Sequence, residues 1–212
     1  MLRPYIILNC AMSIDGKLAT IERKPVRLSS ENDMQRVHNL RNSVDAILVG
    51  VNTILADNPK LLVKEKYITS AIHQPIRIVL DSRGRTPENA LILDGNAPTI
   101  IVTCENCKKT FKNATVLRCG KSKVDITKLM PLLYKRNIRR LLVEGGSEVF
   151  WSFISTNNVD EINIYISSVI IGGRTAPSFV GGNGFKRIED CPRFKITSVE
   201  KDEQGILLTL KK

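Results

Sequence analysis

The run Arg139-Arg140-Leu141-Leu142-Val143-Glu144-Gly145-Gly146-Ser147-Glu148-Val149-Phe150-Trp151 limits what this chain can become more than any other stretch. Its apolar part is of strand length, it ends in a carboxylate and two glycines, and spacing suited to a helix resumes at Ser147. The expected order is strand, glycine turn, helix. Two consecutive residues without Cβ let a backbone lie against a ligand, and the free N–H groups of a helix start attract phosphate, so a pyrophosphate would fit there. Glu144, closing a buried strand, would face the crevice where open α/β sheets bind ligands. A Gly-Gly pair is also a common tight connection, and this one lacks the G-x-G-x-x-G dinucleotide fingerprint, so the motif needs support from elsewhere in the chain.

The remaining elements follow in chain order. Pro4–Ala11 is rich in Ile and Leu and too short for a helix, so it reads as a buried strand. It brings Asn9, Met12, Ser13 and Asp15 to its carboxyl end, where Asp15-Gly16 signals a turn. Ser29–Asp33 starts a helix with serine at the cap and acids in the first turn. In that helix His38 reads as a face residue, and Arg41 either complements the dipole or reaches a phosphate. Asp45–Gly50 is a second strand, followed by a short helix from Val51 that Pro59 ends, with Thr53 and Asp57 one turn apart on the same face. Pro75–Asp81 is a third strand opening into Ser82-Arg83-Gly84-Arg85. A hydroxyl and two guanidinium groups around a glycine suit a phosphate such as the 2′-phosphate of NADPH, and equally an ordinary polar turn.

Thr99–Thr103 and Thr115–Cys119 read as further strands with a small helix between them, and Asp125–Asn137 as an amphipathic helix leading into the diglycine run. An alternating strand over Asp160–Val169 and a long glycine-rich loop from Gly172 to Gly184 come next. Phe194–Lys201 and Gly205–Leu210 then form a hairpin across Asp202-Glu203-Gln204. This order predicts an α/β fold with a mostly parallel central sheet, helices on both faces and a C-terminal antiparallel hairpin.

At 212 residues the chain suits one domain spanning 1–212. No apolar run approaches the roughly 18 residues a membrane span requires, and the first residues enter a strand without the pattern of a secretory signal. A soluble cytoplasmic protein with no membrane partner is expected. Five cysteines, an odd number and widely spaced, read as reduced thiols. Cys104 and Cys107 have metal-ligand spacing, but there is no second such pair and the only histidines are His38 and His73, so no metal is expected. The formal charge of +11 fits a polyanionic partner or a site for phosphorylated small molecules. Few aromatics interleave with the basic residues, so no nucleic-acid partner is expected.

Asn9-Cys10-Ala11-Met12-Ser13-Ile14-Asp15-Gly16-Lys17, Val49-Gly50-Val51-Asn52-Thr53-Ile54-Leu55-Ala56-Asp57-Asn58-Pro59, Ile78-Val79-Leu80-Asp81-Ser82, Val143-Glu144-Gly145-Gly146 and Ile171-Gly172-Gly173 together resemble the reductases of riboflavin biosynthesis. The likeness is to the stand-alone archaeal form and to the reductase half of the bacterial bifunctional deaminase-reductase. It implies a dihydrofolate-reductase-like fold, a homodimer, NADPH as hydride donor with NADH as a possible substitute, and a phosphorylated ribosylaminopyrimidine substrate. Carried over residue by residue, Met12, Thr53, Asp57, Ser82, Arg83, Arg85, Gly145, Gly146, Ser147, Glu148 and Val149 fall on cofactor-binding positions. Asn9, Arg41, Leu61, Lys64 and Glu144 fall on substrate-binding ones, and Asp57 and Glu144 are expected as the catalytic carboxylates, one near the nicotinamide and the other gripping the pyrimidine or donating a proton as the ring opens, with either able to be the donor. Asn9 stands where the bacterial form has lysine, and Lys64 where it has arginine, which exchanges a bidentate phosphate grip for a point charge. The H-x-E and P-C-x-x-C patterns of zinc deaminases do not occur in the sequence, so reduction without deamination is expected. A dihydrofolate reductase and a basic nucleic-acid-binding module are the alternatives.

Overall fold

The computed structural model describes residues 2–24 and 26–212. Its elements are β1 (Tyr5–Ser13), α1 (Glu31–Asn42), β2 (Ala46–Gly50), α2 (Val51–Asp57), β3 (Ile76–Leu80), β4 (Thr99–Thr103), β5 (Thr115–Arg118), α3 (Ile126–Tyr134), β6 (Arg140–Val143), α4 (Ser147–Ser155), β7 (Glu161–Ser167), β8 (Lys195–Lys201) and β9 (Gly205–Lys211). The strands form one sheet in the order β5-β4-β3-β2-β6-β1-β7-β9-β8. From β5 to β7 every pairing is parallel; β9 runs antiparallel to both β7 and β8.

The apolar runs of the parallel strands are continuous because both faces are covered. Ile6, Leu8, Leu48, Ile78, Leu141 and Val143 pack with α3 and α4 through Leu129, Met130, Leu133, Phe150 and Phe153. The intervening residues Ile7, Ile47, Val49, Val79 and Leu142 pack on the other face with Val51 and Ile54 of α2, and with Leu40 of α1 at the margin. Helix ends follow local chemistry. The Ser30 hydroxyl accepts the Asp33 N–H at 3.0 Å and caps α1, and the Asp125 carboxylate accepts the Lys128 N–H and caps α3. α2 stops at Asn58, whose left-handed backbone precedes Pro59.

One expectation is corrected. No helix forms between β4 and β5; the segment runs as turns in which the Cys107 N–H bonds to the Cys104 carbonyl and the Arg118 side chain donates to the Cys107 carbonyl. Its Lys-rich sequence offers only Cys104 and Phe111 as buried apolar side chains, too far apart to make a face for a helix to bury. In β7 the polar residues Asn163 and Ser167 are buried beside the apolar ones, and the Asn163 amide is satisfied by Glu161 and Thr209.

One charge inside the sheet holds two loops. Arg77 on β3 is fully buried and donates to the Asp94 carboxylate at 2.9 Å and to the carbonyls of Lys60 and Ala97 at 3.2 and 2.8 Å. Lysine keeps the charge but cannot reach all three acceptors. Arg77→Lys is expected to cost about 1–2 kcal/mol in urea unfolding; wild-type stability would show that the fork is dispensable.

Candidate active site

A cavity of about 940 Å³ opens along the carboxyl ends of the parallel strands. Parallel strands with helical crossovers leave such a crevice at that edge. Its walls are the end of β1 (Cys10, Ala11), one face of α2 (Thr53, Asp57), the Ser82–Arg85 turn and the start of α4. Gly145 has φ +112°, and its carbonyl accepts the Gly50 N–H at 2.8 Å. A Cβ on Gly50 would lie 2.7 Å from a Val149 methyl, so the end of β2 and the start of α4 approach closely only because that position is glycine. No side chain caps α4, and while the Val149 N–H bonds to the Gly146 carbonyl at 2.9 Å, the residues of its first turn, Gly146 to Val149, border the cavity.

The long loop after β7 folds against this corner. The Ser147 hydroxyl donates to the Ser178 carbonyl at 2.6 Å, and the Glu148 carboxylate accepts the Gly182 N–H at 3.0 Å. At its other end the Asp15 carboxylate accepts the N–H groups of Ile171 and Gly172 at 3.0 and 2.7 Å and the Ser13 hydroxyl at 2.6 Å. The Ser13 hydroxyl and these amides lower the Asp15 pKa to about 2. The Asp15-Gly16 turn is thus an anchor for the loop.

The two carboxylates differ in environment. Asp57 ends α2 on the cavity rim, and partial desolvation against the wall raises its pKa above the ordinary value. Glu144 accepts both nitrogens of a guanidinium fork, Arg41 Nε at 2.8 Å and Nη2 at 2.7 Å, while Arg41 Nη1 donates to the Leu62 carbonyl at 3.2 Å. Burial opposes the Arg41 charge, but the Glu144 pairing outweighs it and the net shift is upward. Next to this pair His38 is fully buried, stacks on Tyr67 with centroids 4.6 Å apart, and accepts the Lys64 N–H on Nδ1 at 3.2 Å. Burial, with the charges of Arg41 and Lys64, lowers its pKa to about 4, so the imidazole is neutral and carries its proton on Nε2.

Among the cofactor candidates, Thr53, Asp57, Ser82, Arg83, Arg85, Gly146, Ser147, Glu148 and Val149 all border the cavity. Met12 instead packs at the edge of the core, and Gly145 is buried against Phe150. Of the substrate candidates only Glu144 borders the cavity. Asn9 is buried and its amide oxygen accepts Arg36 Nη2 at 2.8 Å; Leu61 lies in the core; Lys64 is exposed. These residues gather instead around α1 and the Arg41–Glu144 pair. Sequence reasoning missed Ser122, Lys123 and Val124, which follow β5 and line the cavity beside Ser82. The Val124 N–H donates to the Ser82 hydroxyl at 3.1 Å. Their signal was the run Lys121-Ser122-Lys123 after Gly120, a basic and hydroxylated turn at a strand end like the one at Ser82–Arg85.

A mostly parallel sheet finished by an antiparallel hairpin, with a diglycine corner opening into a long crevice, defines a reductase of the dihydrofolate-reductase-like fold. The RibD C-terminal domain model matches residues 4–208, and the chain belongs to that family, the reductases of riboflavin biosynthesis. It is 39% identical over 200 residues, 92% of each chain, to the 2,5-diamino-6-ribosylamino-4(3H)-pyrimidinone 5′-phosphate reductase of Methanothermobacter thermautotrophicus. To the Archaeoglobus fulgidus protein of the same name it is 37% identical, with 98% of both chains covered. Among solved structures, the Thermotoga maritima deaminase/reductase superposes with a TM-score of 0.82 at 28% identity, covering 99% of this chain and 56% of that longer one. The protein is an oxidoreductase.

Proposed function

We propose that the protein uses NADPH to reduce the ribosylamino side chain of 2,5-diamino-6-ribosylamino-4(3H)-pyrimidinone 5′-phosphate to the ribitylamino product. The observation that carries the reading is the uncapped α4 start behind a diglycine corner, opening into a cavity that also holds Arg83 and Arg85. The relatives' shared name supports the substrate, and the family supports a nicotinamide cofactor. The donor set fits one: glycines and helix N–H groups for a pyrophosphate, and two guanidinium groups with Ser82 for a 2′-phosphate. Bound there, the dihydronicotinamide would supply a hydride to C1′ of the opened sugar. The cavity walls would hold the reactants together at attack distance. Asp57, whose carboxyl gives up its proton less readily than usual, suits proton donation to the sugar oxygen as the ring opens. Glu144, fixed by Arg41, suits acceptance of hydrogen bonds from the pyrimidine amino groups.

Pure protein with NADPH and the ribosylaminopyrimidine phosphate should lose absorbance at 340 nm and yield a product two mass units heavier. Oxidation of NADPH only with dihydrofolate would reject the reading. Arg85→Ala is expected to raise the NADPH KM about tenfold and leave that for NADH nearly unchanged; an unaltered ratio would remove Arg85 from the 2′-phosphate grip. The reading includes a homodimer, supported by the exposed Ile196 and Val199 on edge strand β8.

A further inference from the structure

The turn that carries Ser82, Arg83 and Arg85 is short, lies at the end of an internal strand, and needs its shape fixed from outside the cavity. From within, Asp81 does part of this. It is fully buried, and its carboxylate accepts the Arg85 N–H at 2.9 Å and both the N–H and the hydroxyl of Thr86 at 2.7 Å. That satisfies the donors of Arg85 and Thr86, while the Asp81 and Ser82 carbonyls accept the N–H groups of Gly84 and Cys104. The carbonyls of Gly84 and Thr86, on either side of Arg85, both accept from one ammonium, Lys109 Nζ, at 2.9 and 3.1 Å. Gly84 itself is buried in the left-handed region at φ +68°, and a Cβ there would meet the Lys109 stem at 3.2 Å and the Cys107 sulfur at 3.0 Å. The lysine also lies 5.0 Å above the Phe111 ring, which is buried. Its charge is held from both ends, by carbonyls and by an aromatic face.

Lys109 does not border the cavity. We propose that it is a positioning residue for coenzyme specificity: by clamping the carbonyls before and after Arg85 it sets the direction in which the Arg83 and Arg85 side chains leave the turn, and so whether they meet a 2′-phosphate. The segment between β4 and β5, expected as a small helix, is instead the arm that delivers this ammonium. A helix over the same residues would need an apolar face that the segment lacks. Arg85 is steadied further by Asn52, whose amide oxygen accepts its Nη2 at 2.8 Å, so the turn is tied to α2 as well as to the arm. A ligand carrying a second phosphate on the adenosine ribose gains from this arrangement, and one with a free 2′-hydroxyl does not.

The inference rests on the 2′-phosphate reading above, and the test separates the two. Lys109→Met keeps the stem and removes the charge; Lys109→Arg keeps the charge. Steady-state KM and kcat are measured with NADPH and with NADH for wild type and both variants, with thermal unfolding of each. Lys109→Met is expected to lose about tenfold in its preference for NADPH over NADH, with kcat and the NADH KM little changed, and Lys109→Arg is expected to restore most of it. Equal use of both coenzymes by the wild type would overturn the 2′-phosphate reading and this proposal together. A preferring wild type with an unchanged ratio in Lys109→Met overturns the positioning role alone. So does an equal loss with both coenzymes, which marks a merely structural lysine. Should Lys109→Met fail to fold, the ratio is read from Lys109→Gln, and a wild-type ratio there overturns the proposal.

Discussion

Replacing Asp57 by Asn is expected to lower kcat by roughly two orders of magnitude or more while leaving NADPH affinity within about twofold of wild type. The carboxyl lies exposed on the cavity rim, and the hydration it loses against the wall raises its pKa. A group that donates a proton must hold it in the ground state, so wild-type kcat should fall as pH rises past the Asp57 pKa, and that limb should vanish in the variant. The stability sign is opposite to that of a paired carboxylate. The folded chain releases this proton less readily than the unfolded chain, so ionisation favours unfolding, and stability is lower above the folded pKa than below the ordinary value of 3.8. Asparagine removes that cost. At neutral pH Asp57→Asn should therefore unfold at the same urea concentration as wild type or a higher one, and the difference should vanish in acid. A kcat near wild type would take Asp57 out of the chemistry, whatever the stability shows.

The second large effect belongs to the buried pair. Side chains of Arg41 and Glu144 are 16% and 10% exposed, and both guanidinium–carboxylate contacts are below 2.9 Å. Arg41→Met strands a carboxylate in a poorly hydrated place and removes the donor to the Leu62 carbonyl, at an expected cost of about 3–5 kcal/mol in urea unfolding. Combining it with Glu144→Leu should return most of that stability, because two apolar side chains of similar volume suit the site as well as the ion pair. It should not return turnover. Glu144→Gln, which keeps the shape and loses the charge, should raise the KM for the pyrimidine substrate. A double variant that recovers both stability and activity would reduce the pair to scaffolding and refute its part in substrate binding.

Much of this architecture is legible in sequence because the determinants are local. Ser30 and Asp125 at helix starts, Asn58-Pro59 at a helix end and the Ile, Leu and Val runs of the strands each act within a few residues, and the strands and helices appear close to where these signals place them. The cavity wall is legible for a related reason: parallel strands deliver whatever follows them to a common edge, so Thr53, Asp57, Ser82, Arg85 and Gly146 converge. What sequence could not yield is side-chain partnership at long range. Nothing in the spacing tells that Arg41 takes Glu144 as partner across 103 positions, or that Asn9 turns its amide to Arg36 instead of to the cavity. The Lys109 arm, expected as a small helix, runs instead as turns, because its sequence offers no apolar face and carbonyls remote in the chain hold the lysine.

β1 has its own implication for the chain as it leaves the ribosome. Its neighbours in the sheet are β6 and β7, paired as Tyr5 with Arg140 and Ile7 with Glu161. This apolar strand is synthesised before both of them and has no hydrogen-bonding neighbour in the sheet until the chain has run on through β2 to β5. Loop closure over that distance is entropically costly, and a bare apolar edge is a template for wrong association in the interval. This inner strand of the finished sheet is therefore the one that waits longest in the nascent molecule for its partners.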